Sequence, residues 1–199
     1  MLFKILALAQ LVLFYSCYLI KMAQQRKQGI QTDQMGRNTS GFAKGIELSV
    51  KVMSVAALAA EVWSVTRGIS GLPLAARVAG ACIGAAGVAV FYAAVLTLRD
   101  NWRAGVPQKG ETGLVTGGVF SVSRNPAFLG FDLLYLGILL MFFSWGLFFI
   151  SVVTMLLFHL QIVNVEEEFL ADAFGEEYFA YKSRVCRYLG RRNGHSGRG

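Results

Sequence analysis

The residues best equipped for chemistry gather in the second half of the chain. A polar stretch over 99–125 carries Arg99, Arg103, Lys109 and Arg124 among Gly105, Pro107, Gly110, Gly113, Gly117 and Gly118. Loops longer than about 12–15 residues without regular structure are usually functional or disordered. This one ends in Arg124-Asn125-Pro126, and Pro126 suits the first position of a helix, where its missing N–H is not needed and its ring presets φ. The free N–H groups of such a helix start, beside Arg124, favour an anion. A plain helix start with a positive anchor is the simpler reading of the same three residues. Further on, His159 and Glu166 are seven residues apart, which puts both on one face of a helix, and Glu166-Glu167-Glu168 close the apolar run. Ionisable groups beside an intramembrane helix are costly unless paired or functional. If the two helix ends meet, Arg124 and the acids form a pocket carrying both signs of charge.

Composition says what kind of element must hold these groups. The 199 residues are 55% hydrophobic and 16% charged, with a mean hydropathy of +0.51, more apolar side chain than a small soluble core hides. The expected fold is an all-α integral membrane protein of five transmembrane helices with a cytoplasmic amphipathic tail, since a span needs roughly 20 apolar residues. The spans fall at about 2–20, 46–66 and 73–98, then Phe128 to Phe143 and Trp145 to about Val165. Residues 1–98 thus supply three helices, and 99–199 form a catalytic half: loop 99–125, helical hairpin 126–165 and tail 166–199. The run Leu2 to Ile20 lacks a small-residue cleavage site before Gln24-Gln25-Arg26-Lys27, so it reads as a retained anchor. Glu47, Lys51 and Glu61 on the second span imply a face turned into the bundle.

Charge sets the expected orientation. Fifteen of the 19 lysines and arginines lie in the first loop, the third loop and the tail, which places those segments in the cytoplasm and the N-terminus outside. The net charge of +7 then reflects topology; basic residues are not interleaved with aromatics as on a nucleic-acid surface. Asn38-Thr39-Ser40 matches a glycosylation acceptor but falls on the cytoplasmic side. Cys17, Cys82 and Cys186 have no metal-like spacing. Ala76, Gly80, Gly84 and Val88 form a small-residue stripe on the third span, read as close packing within the bundle or as a homodimer face. In the tail, Leu170, Phe174, Tyr178, Tyr181, Val185 and Tyr188 recur every three or four residues, an amphipathic helix that Gly175 can break in two.

From Leu114 to Arg187 the chain resembles the isoprenylcysteine carboxyl methyltransferases of the prokaryotic, five-span type. The resemblance rests on Leu114-Val115-Thr116-Gly117-Gly118-Val119-Phe120, Arg124-Asn125-Pro126-Ala127-Phe128-Leu129-Gly130, Glu166-Glu167-Glu168 with Leu170, Phe174-Gly175-Glu176-Glu177-Tyr178, and Tyr181, Arg184, Val185 and Arg187. It implies S-adenosylmethionine as methyl donor and S-adenosylhomocysteine as product. It also implies a cofactor site lined by Lys109, Thr112, Gly113, Leu114, Val115, Phe120, Asn125, Pro126, Ala127 and Phe128, closed by Glu166 or Glu167. Tyr178, Tyr181 and Arg184 would fold over it as a lid, with His159 nearby on the fifth span. Three positions depart from the family pattern: Asn125 replaces a usual His, Phe128 a usual Tyr, and Ile162 or Val163 an arginine that eukaryotic members carry.

The chemistry fits those parts. The donor combines a carboxylate, an ammonium, a sulfonium and an adenine, and wants a cation or helix start, an acid, and aromatic or apolar walls. No Gly-x-Gly-x-x-Gly follows a strand, so the common soluble arrangement is absent. A carboxylate acceptor is already ionised near pH 7 and needs no base; Arg124, Arg99 and Arg103 are the candidates to orient it. The lipid acceptor is expected from the bilayer, through a gate between the third and fourth spans. Methylation of a prenylated cysteine carboxylate is the leading reading; a phospholipid amine acceptor and a non-enzymatic scaffold are the others. Glu167→Gln and Arg124→Ala are expected to weaken cofactor binding without unfolding the protein.

Overall fold

The computed structural model describes residues 1–108, 110 and 112–192. Six helices account for most of it: α1 (Leu2–Lys27), α2 (Gly41–Arg67), α3 (Leu74–Leu98), α4 (Pro126–Met141), α5 (Trp145–Gln161) and α6 (Glu167–Arg184). Short 3₁₀ turns follow α3 and precede α4, and a π turn, Ile162–Glu166, joins α5 to α6. Among the described residues there is no strand beyond two isolated bridges, Asp33 with Ala104 and Val185 with Arg191.

Four helical runs are long and apolar enough to cross a membrane: α1, α2, α3 with its turn, and the run from Trp145 through α6. In that last run the acids begin at Glu166, so the part suited to hydrocarbon is 145–165, α5 with most of the π turn. Helix α4 is apolar but has 16 residues, about 24 Å of rise against a hydrocarbon core of about 30 Å. The five expected spans therefore correspond to four full-length helices and one shorter one. Together they fit a multi-pass integral membrane protein.

Cross-chain bonds fix the helices in alternating directions. At one end Lys4 Nζ donates to the Thr66 carbonyl (2.7 Å) and Arg77 Nε to that of Met141 (3.1 Å). At the other end the buried Gln25 donates to the Trp102 carbonyl (3.0 Å) and accepts from the Thr32 hydroxyl (2.7 Å). These bonds explain why α1 continues past its apolar run to Lys27. Helix α5 leans on α2, with Thr154 Oγ1 3.5 Å from the Met53 carbonyl, more than on its hairpin neighbour α4. Glu47 and Glu61 of α2 are fully buried, as their positions on an apolar span implied.

The tightest seam joins α3 and α4. A Cβ added at Gly137 would stand 2.6 Å from the Gly84 Cα, and one at Gly87 2.8 Å from the Gly130 carbonyl. The stripe containing Gly80 and Gly84 thus packs inside the bundle, where backbone contact replaces side-chain volume. Beneath it Phe14 stacks on Phe91 with ring centroids 4.1 Å apart, and Phe131 packs edge-on against Phe14 at 4.6 Å. A gate between these two helices is not compatible with that packing. Gly137→Val should force them apart and destabilise the fold by about 1–3 kcal/mol, the usual cost of overpacking. Thermal unfolding in detergent checks this against Gly45→Ala, where an added Cβ meets nothing.

Candidate active site

The polar motifs converge at the end of the bundle that holds Gln25 and Trp102. Asn125 is the N-cap of α4 and Pro126 its first residue, as the missing N–H of proline allows. Among the described residues no side chain caps that helix start, which leaves its first N–H groups without a side-chain partner. The loop before it is fastened by the chain beyond α6. Arg124 N donates to the Cys186 carbonyl (3.1 Å) and Gly190 N to that of Val122 (2.7 Å). Asn125 Nδ2 donates to the Arg187 carbonyl (3.2 Å). Gly175, with φ 50° and ψ −124°, kinks α6 where the sequence places a break; glycine adopts that backbone without a Cβ penalty.

The three consecutive acids take three different environments. Glu168 is exposed, Glu167 is buried, and Glu166 is partly exposed and lines a cavity. Consecutive helical residues point about 100° apart, and the π turn that ends on Glu166 shifts the register of these acids relative to α5. Hence His159 and Glu166 do not share the face that a seven-residue spacing predicts. His159 lies off the cavity wall, its Nδ1 2.7 Å from the Tyr188 hydroxyl and its ring stacked on that of Tyr188.

Glu167 is an ion-pair hub. It meets Arg124 Nη2 at 3.0 Å and Lys182 Nζ at 3.0 Å, and Arg187 approaches both oxygens, at 2.8 and 3.2 Å. Arg124 also donates to the Tyr178 hydroxyl at 2.9 Å. Burial alone would raise the Glu167 carboxyl, but hydrogen bonds from Arg187 and Lys182 and the charge of Arg124 outweigh it and hold it down at about 2. Glu167 and Arg124 are thus paired with the protein's own groups, so exchanging either removes contacts within the fold.

The cavity has a volume of about 500 Å³. Of the residues singled out from the sequence, Arg103, Thr112, Gly113, Leu114, Val115, Phe120, Arg124, Asn125, Pro126, Ala127, Phe128, Glu166 and Tyr181 line it. Glu167, Tyr178, Arg184, His159 and Arg99 do not. Lys109 lies outside the described residues. Arg99 is exposed at the end of α3 with a φ of 50°, and Arg184 bonds its own helix through the Ala180 carbonyl. Tyr178 is wholly buried under Arg124, and Tyr181 donates to the Phe120 carbonyl at 2.6 Å. The aromatic tail is thus a fixed wall in this structure.

Sequence reasoning missed the other wall. Tyr15, Tyr18 and Leu19 of α1, Lys51, Ser54, Val55 and Leu58 of α2, and Trp102 also line the cavity. Trp102 is 3% exposed and packs edge-on against Tyr18 at 5.1 Å. The residues of α1 and α2 sit in plain apolar runs with no motif, where the charge of Lys51 within a span was the one available signal, and Trp102 lies in the polar stretch after α3. Lys51 is ion-paired with Asp33.

Fold and site define a helical membrane protein with a largely apolar cavity at one end, rimmed by a few fixed charges and a free helix start. The phospholipid methyltransferase family model matches residues 74–177, just over half of the chain, and the protein belongs to that family. It is a membrane methyltransferase. The match covers α3, the loop, α4, α5 and the first part of α6, and leaves α1 and α2 outside. No curated protein matches the sequence.

The depressed Glu167 carboxyl contributes stability that is fully present above the ordinary carboxylate value of about 4 and is lost as pH falls from there toward 2. Melting temperature in detergent should therefore drop over that window, and Glu167→Gln should remove that part of the drop. Arg124→Ala, which removes one of three cations from Glu167 and the donor to the buried Tyr178 hydroxyl, should cost about 1–3 kcal/mol, read by the same melting curves.

Proposed function

We propose that the protein transfers a methyl group from S-adenosylmethionine to the carboxylate of a prenylated cysteine drawn from the bilayer, releasing S-adenosylhomocysteine. One observation carries this reading: a single cavity joins the motif residues of the loop, α4 and the π turn to the apolar faces of α1 and α2. Leu19 and Val55 line it and are also 54% and 67% exposed on the outside of the bundle. The acceptor's chain enters there, between α1 and α2, because an apolar tail gains nothing by crossing water.

The residues present fit the donor. Glu166 faces the cavity with no cation paired to it among the described residues, and it suits an ammonium. The uncapped start of α4, at Ala127 and Phe128 beside Arg124, suits a carboxylate. Phe120, Phe128, Leu114 and Tyr181 give apolar and aromatic walls suited to an adenine. When bound, the donor supplies an electrophilic methyl group on a sulfonium. Glu166, the start of α4 and the aromatic walls would hold that group against the acceptor carboxylate. No proton moves, since the acceptor carboxylate, with an ordinary pKa of about 3.5, is already ionised.

The chain's own contribution is to position the two reactants and keep water out. Arg103 lines the cavity, its Nη1 held by the carbonyls of Asp100 (2.6 Å) and Trp102 (2.8 Å). It is our candidate to orient the acceptor, since it lies on the cavity wall and Arg99 does not. The reaction takes place at the cytoplasmic end, where 15 of the 19 basic residues fall. A second reading, methylation of a phospholipid amine, is supported by the family to which the chain belongs.

A methyl-transfer assay with a farnesylated cysteine and a phosphatidylethanolamine, using labelled donor, separates the two. Label released as methanol by mild base marks an ester; base-stable label on the phospholipid overturns the carboxyl reading. Glu166→Gln should weaken S-adenosylhomocysteine binding by about tenfold or more, the worth of a hydrogen bond to a charged group. Calorimetry on the solubilised protein measures it, and absence of binding by the wild type at millimolar concentration would sink the enzyme reading.

A further inference from the structure

Behind Glu166 lies a polar chain that the proposed reaction does not use. Gln161, the last residue of α5, is fully buried. Its Nε2 stands 3.4 Å from Glu166 Oε1 and 3.4 Å from Glu47 Oε1. Its Oε1 has no partner. An amide nitrogen carries two N–H donors, and here each has one carboxylate to reach. Rotating the amide would turn its oxygen toward two carboxylates, so this orientation is the one the surroundings dictate.

Glu47, fully buried on α2, is the fixed end of the chain. Its Oε2 accepts from Gly36 N at 2.7 Å and from the Thr39 hydroxyl, and its Oε1 accepts from Val106 N at 3.2 Å. It thus gathers the loop after α1 and the loop after α3, whose Gly105 and Pro107 are on the cavity wall. A buried carboxylate with this many donors is immobile. Neither Glu47 nor Gln161 lines the cavity. The π turn begins immediately after Gln161 and ends on Glu166, so the strut spans the segment that turns Glu166 inward.

We infer that Gln161, anchored by Glu47, is a positioning residue that aims the Glu166 carboxylate at the ammonium of the bound donor, so that it sets affinity for the amino-acid half of the cofactor alone. The inference rests on the reading of Glu166 given above. It predicts a split that loss of packing cannot produce. S-adenosylhomocysteine carries the ammonium; 5′-methylthioadenosine has the same nucleoside and thioether without it.

The experiment measures both dissociation constants by calorimetry for detergent-solubilised wild type, Gln161→Leu, Glu47→Gln and Glu166→Gln, with melting curves to verify folding. Gln161→Leu keeps the bulk and removes the donors. It should weaken S-adenosylhomocysteine about tenfold and change 5′-methylthioadenosine by less than about twofold. Glu47→Gln, which keeps the shape and breaks the anchor, should shift the ratio in the same direction, and it carries the test if Gln161→Leu does not fold. Equal losses for both ligands, or none, in the folded variants overturn the strut. If Glu166→Gln shows the selective loss and the strut variants do not, only the strut fails. If Glu166→Gln binds both ligands like the wild type, the reading of Glu166 fails and the strut falls with it.

Discussion

The carboxylate of Glu167 is the point on which the site depends. Three cations from three segments converge on it: Arg124 ahead of α4, Lys182 within α6 and Arg187 beyond α6. A charge 6% exposed is tolerable only when paired and hydrogen-bonded, so the hub forces the loop, the helix and the tail to meet at one place. Once they meet, backbone bonds between 122–125 and 186–190 lock the approach to α4. Asn125 and Pro126 are then presented to the cavity as a bare helix start.

The same arrangement divides labour between neighbouring acids. Glu167 is saturated by cations and serves the fold, whereas Glu166, one residue earlier, is held by a neutral amide and faces the cavity. In a low-dielectric site an acid without a cation is an attractive place for a positively charged ligand. A regular α-helix would aim these residues differently; the π turn redirects them. The irregular winding falls beside the cavity wall.

The N-terminal helices contribute what the catalytic motifs lack. The family match begins at α3, yet residues of α1 and α2 line the cavity, and Leu19 and Val55 among them are also exposed. The α3–α4 seam is closed by Gly80, Gly84, Gly87, Gly130 and Gly137. Shared machinery on one wall and motif-free helices on the other is an arrangement in which acceptor preference can differ between relatives while the methyl-transfer site stays the same.

Local physics is what the sequence determined by itself. Apolar length placed the helices, proline marked the start of α4, glycine marked the kink at Gly175, and the small-residue stripe announced a close helix contact. The motif between 112 and 128 supplied most of one cavity wall. Tertiary structure alone decided which of three identical acids lines the cavity, that Arg124 is an ion-pair partner of Glu167, and that His159 pairs with Tyr188. It also decided that α5 leans on α2, and that Tyr15, Tyr18, Ser54 and Leu58 reach the cavity. The reason is one of range. Propensities and caps act within a turn or two of chain, whereas the direction of Glu166 depends on a π turn braced by Glu47, more than a hundred residues away.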